Sequence, residues 1–293
     1  MKFGRLLTAM VTPLDGRLEV DYGRAAELAK RLVDSGSEGI VVGGTTGESP
    51  TLSAEEKIDL VRAVVEAVGN RAQVVAGTGS NSTAATIELT RRMVDTGAHG
   101  VMVVAPYYNK PSQEGLYRHF VAVADSTDLP VMLYNVPGRT SVNISAATSL
   151  RLAEKANIVA LKEASGVLDQ VGEIIAKAPE GFAVYSGDDS ATLPLMSIGA
   201  VGVVSVAAHV VGRRMRDMIE SFVRGDVERA KNLHLSLLPI FKTLFIVTNP
   251  VPVKAALAMA GFSVGGVRQP LWPMDEKEER ILRDCMESFG LLA

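Results

Sequence analysis

Along the chain, short apolar runs that end in Gly, Pro, Ser, Thr or Asn alternate with stretches whose apolar residues recur at helical spacing. The runs are Leu6 to Pro13, Gly39 to Gly44, Gln73 to Gly79, Gly100 to Pro106, Val131 to Pro137, Ile158 to Ser165, Phe182 to Asp189 and Gly202 to Ala208. They are nearly continuous in apolar residues, as expected of parallel strands covered on both faces. Between them, Ser53 and Ser112 stand as N-caps ahead of acidic first turns, while Ser35-Gly36 and Thr96-Gly97 supply glycine where a helix must stop. Eight β-α steps within residues 1–225 predict a closed (β/α)8 barrel, since such barrels take about 250 residues. The chemistry of that fold sits at the C-terminal ends of the strands.

Beyond the eighth step the pattern changes. Residues 226–293 offer no strand and read as three helices, Asp226 to Thr248, Pro252 to Gly261 and Asp275 to Phe289, with Pro252 tolerable in a first turn. The division expected is a catalytic barrel over 1–225 and a C-terminal helical domain over 226–293. A chain of 293 residues with 47% hydrophobic content can bury a core of this size. A net charge of -3 gives no general field for nucleic acid, and Arg213-Arg214-Met215-Arg216 reads as the wet face of a helix. Cys285 is the only cysteine, which rules out an intramolecular disulfide and a thiolate metal cluster. With no signal-peptide pattern and no apolar run of roughly 18 residues, neither export nor a membrane partner is expected, and the cytoplasm is the expected location.

One strand carries a charge. In Ile158-Val159-Ala160-Leu161-Lys162-Glu163-Ala164-Ser165 a lysine stands inside an apolar run. Burial there disfavours the protonated ammonium, and a neutral amine on a rigid strand can attack a carbonyl to give a Schiff base. The plain alternative is a snorkelling side chain at an exposed strand end, to which the adjacent Glu163 would also point. Other strand ends gather polar groups at the same mouth. Gly43-Gly44-Thr45-Thr46-Gly47-Glu48-Ser49 offers hydroxyls and amides suited to a carboxylate but lacks the Gly-Lys-Ser/Thr of a phosphate loop. Pro106-Tyr107-Tyr108-Asn109 brings two phenols, and Arg139 follows Tyr134 with a guanidinium that can hold a carboxylate bidentately. Gly187, in Ser186-Gly187-Asp188-Asp189, permits close approach of a ligand. The histidines, His99, His119, His209 and His234, share no metal-ligand spacing, and His209 reads as a capping or hydrogen-bonding residue.

Taken in order, Gly44-Thr45-Thr46-Gly47-Glu48, Pro106-Tyr107-Tyr108-Asn109, Tyr134-Asn135-Val136-Pro137-x-Arg139-Thr140, Leu161-Lys162-Glu163-Ala164, Ser186-Gly187-Asp188-Asp189 and Asn249-Pro250-x-Pro252-Val253-Lys254 resemble the family of 4-hydroxy-tetrahydrodipicolinate (dihydrodipicolinate) synthases, pyruvate-dependent class I aldolases. The resemblance implies condensation of pyruvate with L-aspartate 4-semialdehyde on the route to diaminopimelate and lysine. It makes Lys162 the Schiff-base nucleophile and Tyr134 the proton shuttle, with Thr45 linking Tyr134 to Tyr108 of a neighbouring subunit. It gives Thr46 the pyruvate carboxylate and Arg139 the semialdehyde carboxylate, with the Gly187 and Val204 backbones lining the pocket. It implies no metal or organic cofactor, and a homotetramer built as a dimer of dimers. Sister enzymes that cleave N-acetylneuraminate or 2-keto-3-deoxy sugar acids share the lysine and tyrosine but generally lack the Tyr107-Tyr108 pair and Arg139. A barrel kept only for binding or regulation would not be expected to retain Lys162, Tyr134, Thr45 and Tyr108 together.

The chain also departs from lysine-inhibited members of that family. Where they carry two histidines and a glutamate, this sequence has Ala54, Lys57 and Ala85, although Ser49, Asn81 and Tyr107 remain. A cationic lysine would find no carboxylate at Ala85 and would meet like charge at Lys57. Feedback inhibition by lysine is therefore expected to be weak or absent; half-inhibition at submillimolar lysine in a steady-state assay would contradict this.

Overall fold

The computed structural model describes residues 2–293. Eight parallel strands close into a barrel in sequence order, β1 (Leu6–Ala9), β2 (Gly39–Val42), β3 (Gln73–Gly77), β4 (Gly100–Val104), β5 (Val131–Asn135), β6 (Ile158–Glu163), β7 (Ala183–Ser186) and β8 (Gly202–Ser205). All eight expected runs are strands, each shorter at its C-terminal end than the apolar pattern suggests. The residues beyond the ladder still face dry surroundings, so they stay apolar or small, but their backbones have turned into the loops at the mouth. Around the barrel lie α1 (Tyr22–Asp34), α2 (Ala54–Val68), α3 (Thr83–Met93), α4 (Gln113–Ala124), the single turn α5 (Pro137–Thr140), α6 (Ala146–Ala153), α7 (Leu168–Lys177), α8 (Thr192–Ser197) and α9 (Ala208–Val223). Ser53 caps α2 in a reciprocal box with Glu56, and Ser112 caps α4. Gly36 and Gly97 take positive φ after α1 and after the turn that follows α3.

Past the barrel come α10 (Val227–Thr243), α11 (Val251–Met259) and α12 (Glu276–Ser288). The expected α12 is matched with its caps, since Asp275 and Glu278 form a second capping box. The expected α10 runs five residues too long, since the chain leaves the helix after Thr243. The arginines at 213, 214 and 216 are exposed on α9 while Met215 is buried, as the wet-face reading requires. No helix among the described residues is long and apolar enough to cross a membrane.

Two dry regions result from the two-residue period of the strands. Side chains that point inward, including Leu7, Val41, Val75, Met102, Met132 and Ala160, fill the barrel, with Phe3 and Tyr185 at its floor, where the Tyr185 hydroxyl donates to the Gly4 carbonyl at 2.8 Å. Those that point outward pack with the helices in a larger cluster that continues through Leu237, Ile240 and Phe241 of α10, Val253 and Leu257 of α11 and Leu282 of α12.

Buried titratable groups set the acid response. Desolvation draws His119 and His209 from the usual 6.5 down to about 4. Between those values the unfolded chain binds protons that the folded chain refuses, so stability falls as pH drops from about 6.5 toward 4. Asp189 opposes them, since burial lifts it to about 6 and its ionisation weakens the fold as pH rises through the same window. With two histidines against one carboxylate, the urea midpoint should be lower at pH 5 than at pH 7, and His119→Phe should reduce that loss; an unchanged acid loss in the variant would count against the assignment.

Candidate active site

The barrel brings a cation and a phenol together on its inner face. Lys162 of β6 is paired in register with Tyr134 of β5, so both side chains point inward near the strand ends. Lys162 is 5% exposed, and its Nζ stands 4.2 Å from the centroid of the Tyr134 ring. It makes no ion pair with another described residue. Glu163 points the other way, which excludes the exposed strand end that its charge suggested. Its carboxylate is buried behind the sheet, where it accepts from Asn135 Nδ2 at 3.0 Å, from the Ser165 N–H at 2.6 Å and from Gln170 Nε2 at 3.2 Å. Asn143 extends the network, accepting from Asn135 at 2.8 Å and donating to Gln170 at 2.7 Å. Charge on one face of β6 is thus held by a polar network, and charge on the other is left free.

A cavity of about 240 Å³ has Thr45, Tyr107, Tyr134 and Arg139 in its wall, with apolar surface from Met102, Val104 and Val136, and Lys162 adjoins it through the Tyr134 ring. Thr45 lies on the loop after β2, and neither its N–H nor that of Thr46 is donated to another described residue, which leaves two amides available for an anion. Arg139, on α5, is exposed at the rim and makes no ion pair among the described residues. Gly187 abuts the lysine, since a Cβ there would lie 3.2 Å from Lys162 Cε and 2.7 Å from the Ala164 Cβ. Its N–H is already donated to the Glu163 carbonyl at 2.7 Å and is not available to a ligand. Val204 contributes its side chain to the barrel interior, below the wall.

Two of the sequence-derived residues are not part of that cavity's wall. Thr46 is buried, and its hydroxyl accepts from Asn249 Nδ2 at 2.9 Å. Tyr108 is 88% exposed, carried outward by a backbone with φ of 73°, a costly conformation for an aromatic residue. Of the Tyr107-Tyr108 pair, Tyr107 is the one in the cavity wall of its own chain.

The family model described as the dihydrodipicolinate synthetase family matches residues 2–288. The chain belongs to that family. A 4-hydroxy-tetrahydrodipicolinate synthase of Heliobacterium modesticaldum is 57% identical over 291 residues, covering 99% of this chain and 97% of that one. The crystal structure of a dihydrodipicolinate synthase from Bacillus anthracis superposes with a TM-score of 0.96 at 53% identity, covering 98% of this chain and 99% of that one. That of the enzyme from Cyanidioschyzon merolae, solved with lysine bound, does so with a TM-score of 0.97 at 49% identity over 99% of both chains.

For this member of the dihydrodipicolinate synthetase family, the histidine nearest a strand end serves structure. His209 Nδ1 lies 2.8 Å from the Val206 carbonyl, and Nε2 accepts from the Val11 N–H at 3.1 Å, which ties the ends of β1 and β8. Lys57 is partly buried, and desolvation lowers its pKa, while Ala85 is exposed. Asn249 was quoted from the sequence without a role, because its contact with Thr46 spans 203 positions and has no local signature.

Replacing Glu163 tests the network behind the lysine strand. Glu163→Leu strands the Ser165 N–H and withdraws an acceptor from Asn135 and Gln170, which should lower unfolding stability by roughly 2–4 kcal/mol in urea. A loss under about 1 kcal/mol would show that the carboxylate is dispensable.

Proposed function

We propose that this chain joins pyruvate to L-aspartate 4-semialdehyde through a Schiff base on Lys162. Its full-length identity to named relatives makes it a 4-hydroxy-tetrahydrodipicolinate synthase, a lyase. The observation that carries the mechanism is a buried lysine without a counter-ion, seated against a tyrosine ring that also lines a cavity. In this reading the neutral Lys162 amine attacks the keto carbon of pyruvate, and loss of water gives an imine. Removal of a proton from the methyl carbon gives an enamine, whose carbon attacks the aldehyde to form the new C–C bond. The amino group of the semialdehyde then adds to the imine carbon and expels Lys162, closing the ring. Each stage moves a proton at or beside the imine, and Tyr134 is the phenol within reach; positioned acid-base groups of this kind typically contribute 10²–10⁴-fold. The imine itself stores the electrons, so the reaction asks for no metal or organic cofactor.

The two carboxylates are assigned by position. Thr45 and Thr46 present free N–H groups beside their hydroxyls, which suits the small carboxylate of pyruvate near the lysine. Arg139 is unpaired at the rim, which suits the carboxylate at the far end of the second substrate. The Gly187 carbonyl and the Val204 strand complete the walls around the imine. Tyr108 fits a role outside its own chain: a phenol held almost fully in solvent by a strained backbone can reach a neighbouring site, where Thr45 would join it to Tyr134. Assembly as a dimer of dimers belongs to the same reading.

Lys162→Ala should abolish trapping of pyruvate by borohydride. Arg139→Ala should keep the trapped adduct and lose at least about tenfold in kcat/KM for the semialdehyde, the scale of one bidentate charge contact. Equal loss of trapping in both variants would refute the division of roles, and cleavage of N-acetylneuraminate or 2-keto-3-deoxygluconate without semialdehyde turnover would refute the choice of second substrate.

A further inference from the structure

The loop that bears Thr45 and Thr46 is held from behind by the segment that follows α10. Asn249, 5% exposed, donates Nδ2 to Thr46 Oγ1 at 2.9 Å, and its Oδ1 has no partner among the described residues. Two residues beyond Thr46, Glu48 is buried with φ of 57°, and its Oε1 meets Lys254 Nζ of α11 at 2.5 Å. Lys254 also donates to the Gly266 carbonyl at 2.6 Å. Glu48 Oε2 accepts the Arg268 N–H at 2.9 Å, and the Arg268 guanidinium grips Glu56 at 2.6 and 2.9 Å. Four polar ties therefore run from residues 249–268 to the stretch that includes Thr46, Glu48 and Glu56.

The chemistry of the first tie is directional. A hydroxyl that accepts from an amide N–H has its own proton left to donate, and no described residue takes it from Thr46. We propose that Asn249 is a positioning residue for pyruvate binding: by donating to Thr46 it turns the Thr46 hydroxyl into a donor toward the substrate carboxylate, while the Glu48–Lys254 pair fixes the loop whose amides complete that site. This rests on the reading of Thr46 as a carboxylate ligand. The residues after the barrel then set affinity for the first substrate without touching it.

The test compares steady-state constants and borohydride trapping for Asn249→Ala, Asn249→Asp, Thr46→Val and the double variant Thr46→Val/Asn249→Ala. Asn249→Asp has nearly the same shape but can only accept, so it draws the Thr46 proton away from the substrate and guards against a folding failure of the alanine variant. Both Asn249 variants should raise the pyruvate KM about tenfold, the scale of one hydrogen bond to a charged group, with kcat changed less than about threefold. The half-saturating pyruvate for trapping should rise in parallel, with the semialdehyde KM unmoved. The double variant should be no worse than Thr46→Val alone, because the two residues act through one contact. A wild-type pyruvate KM in the Asn249 variants, or independent losses in the double variant, would overturn the inference while a raised KM in Thr46→Val left the Thr46 assignment standing. A wild-type KM in Thr46→Val would overturn both.

Discussion

A cation inside a closed barrel can meet water only at the mouth, and this constraint shapes the molecule around Lys162. The strands are parallel and dry on both faces, so an inward charge must lie at the last interior position before the ladder ends. There it rests on the face of Tyr134, with Gly187 leaving room beside its Cε. Moving the lysine one residue along β6 would send it into the helix layer, where the polar network of Glu163 now sits. The fold thus separates two demands that meet in neighbouring residues: one carboxylate fully satisfied, one amine left without a partner.

The loop after β2 answers a different demand. A loop that binds an anion through its amides must keep them free, and free amides do not hold a loop in place. Rigidity has to be supplied from outside. Glu48, Lys254, Arg268 and Asn249 supply it, with a buried ion pair, a bidentate fork and an amide. A buried ion pair adds little net stability when desolvation is counted, so its use here agrees better with fixing a geometry than with strengthening the fold.

The fold was legible because its signal is local and repeated. Eight apolar runs with helices between them identify the barrel, and serine caps and stop glycines mark helix ends to within a residue or two. The lysine strand was legible as chemistry because a charge in an apolar run has few explanations. The orientation of Glu163 was not, since alternation tells which residues share a face but not whether a charged neighbour is exposed or satisfied. Nor was the split between Tyr107 at the cavity wall and Tyr108 in solvent, where Tyr108 takes a positive φ. The Asn249 contact joins residues 203 positions apart, and no pattern in either segment encodes the other.

That separation bears on how the protein is made. A ribosome delivers the barrel strands first, and β8 ends at Ser205, well before Asn249 has been synthesised. Until that later segment is in place the Thr46 hydroxyl has no amide to accept from and Glu48 has no Lys254 to pair with, so the final shape of a loop near the start of the chain is settled only by residues near its end.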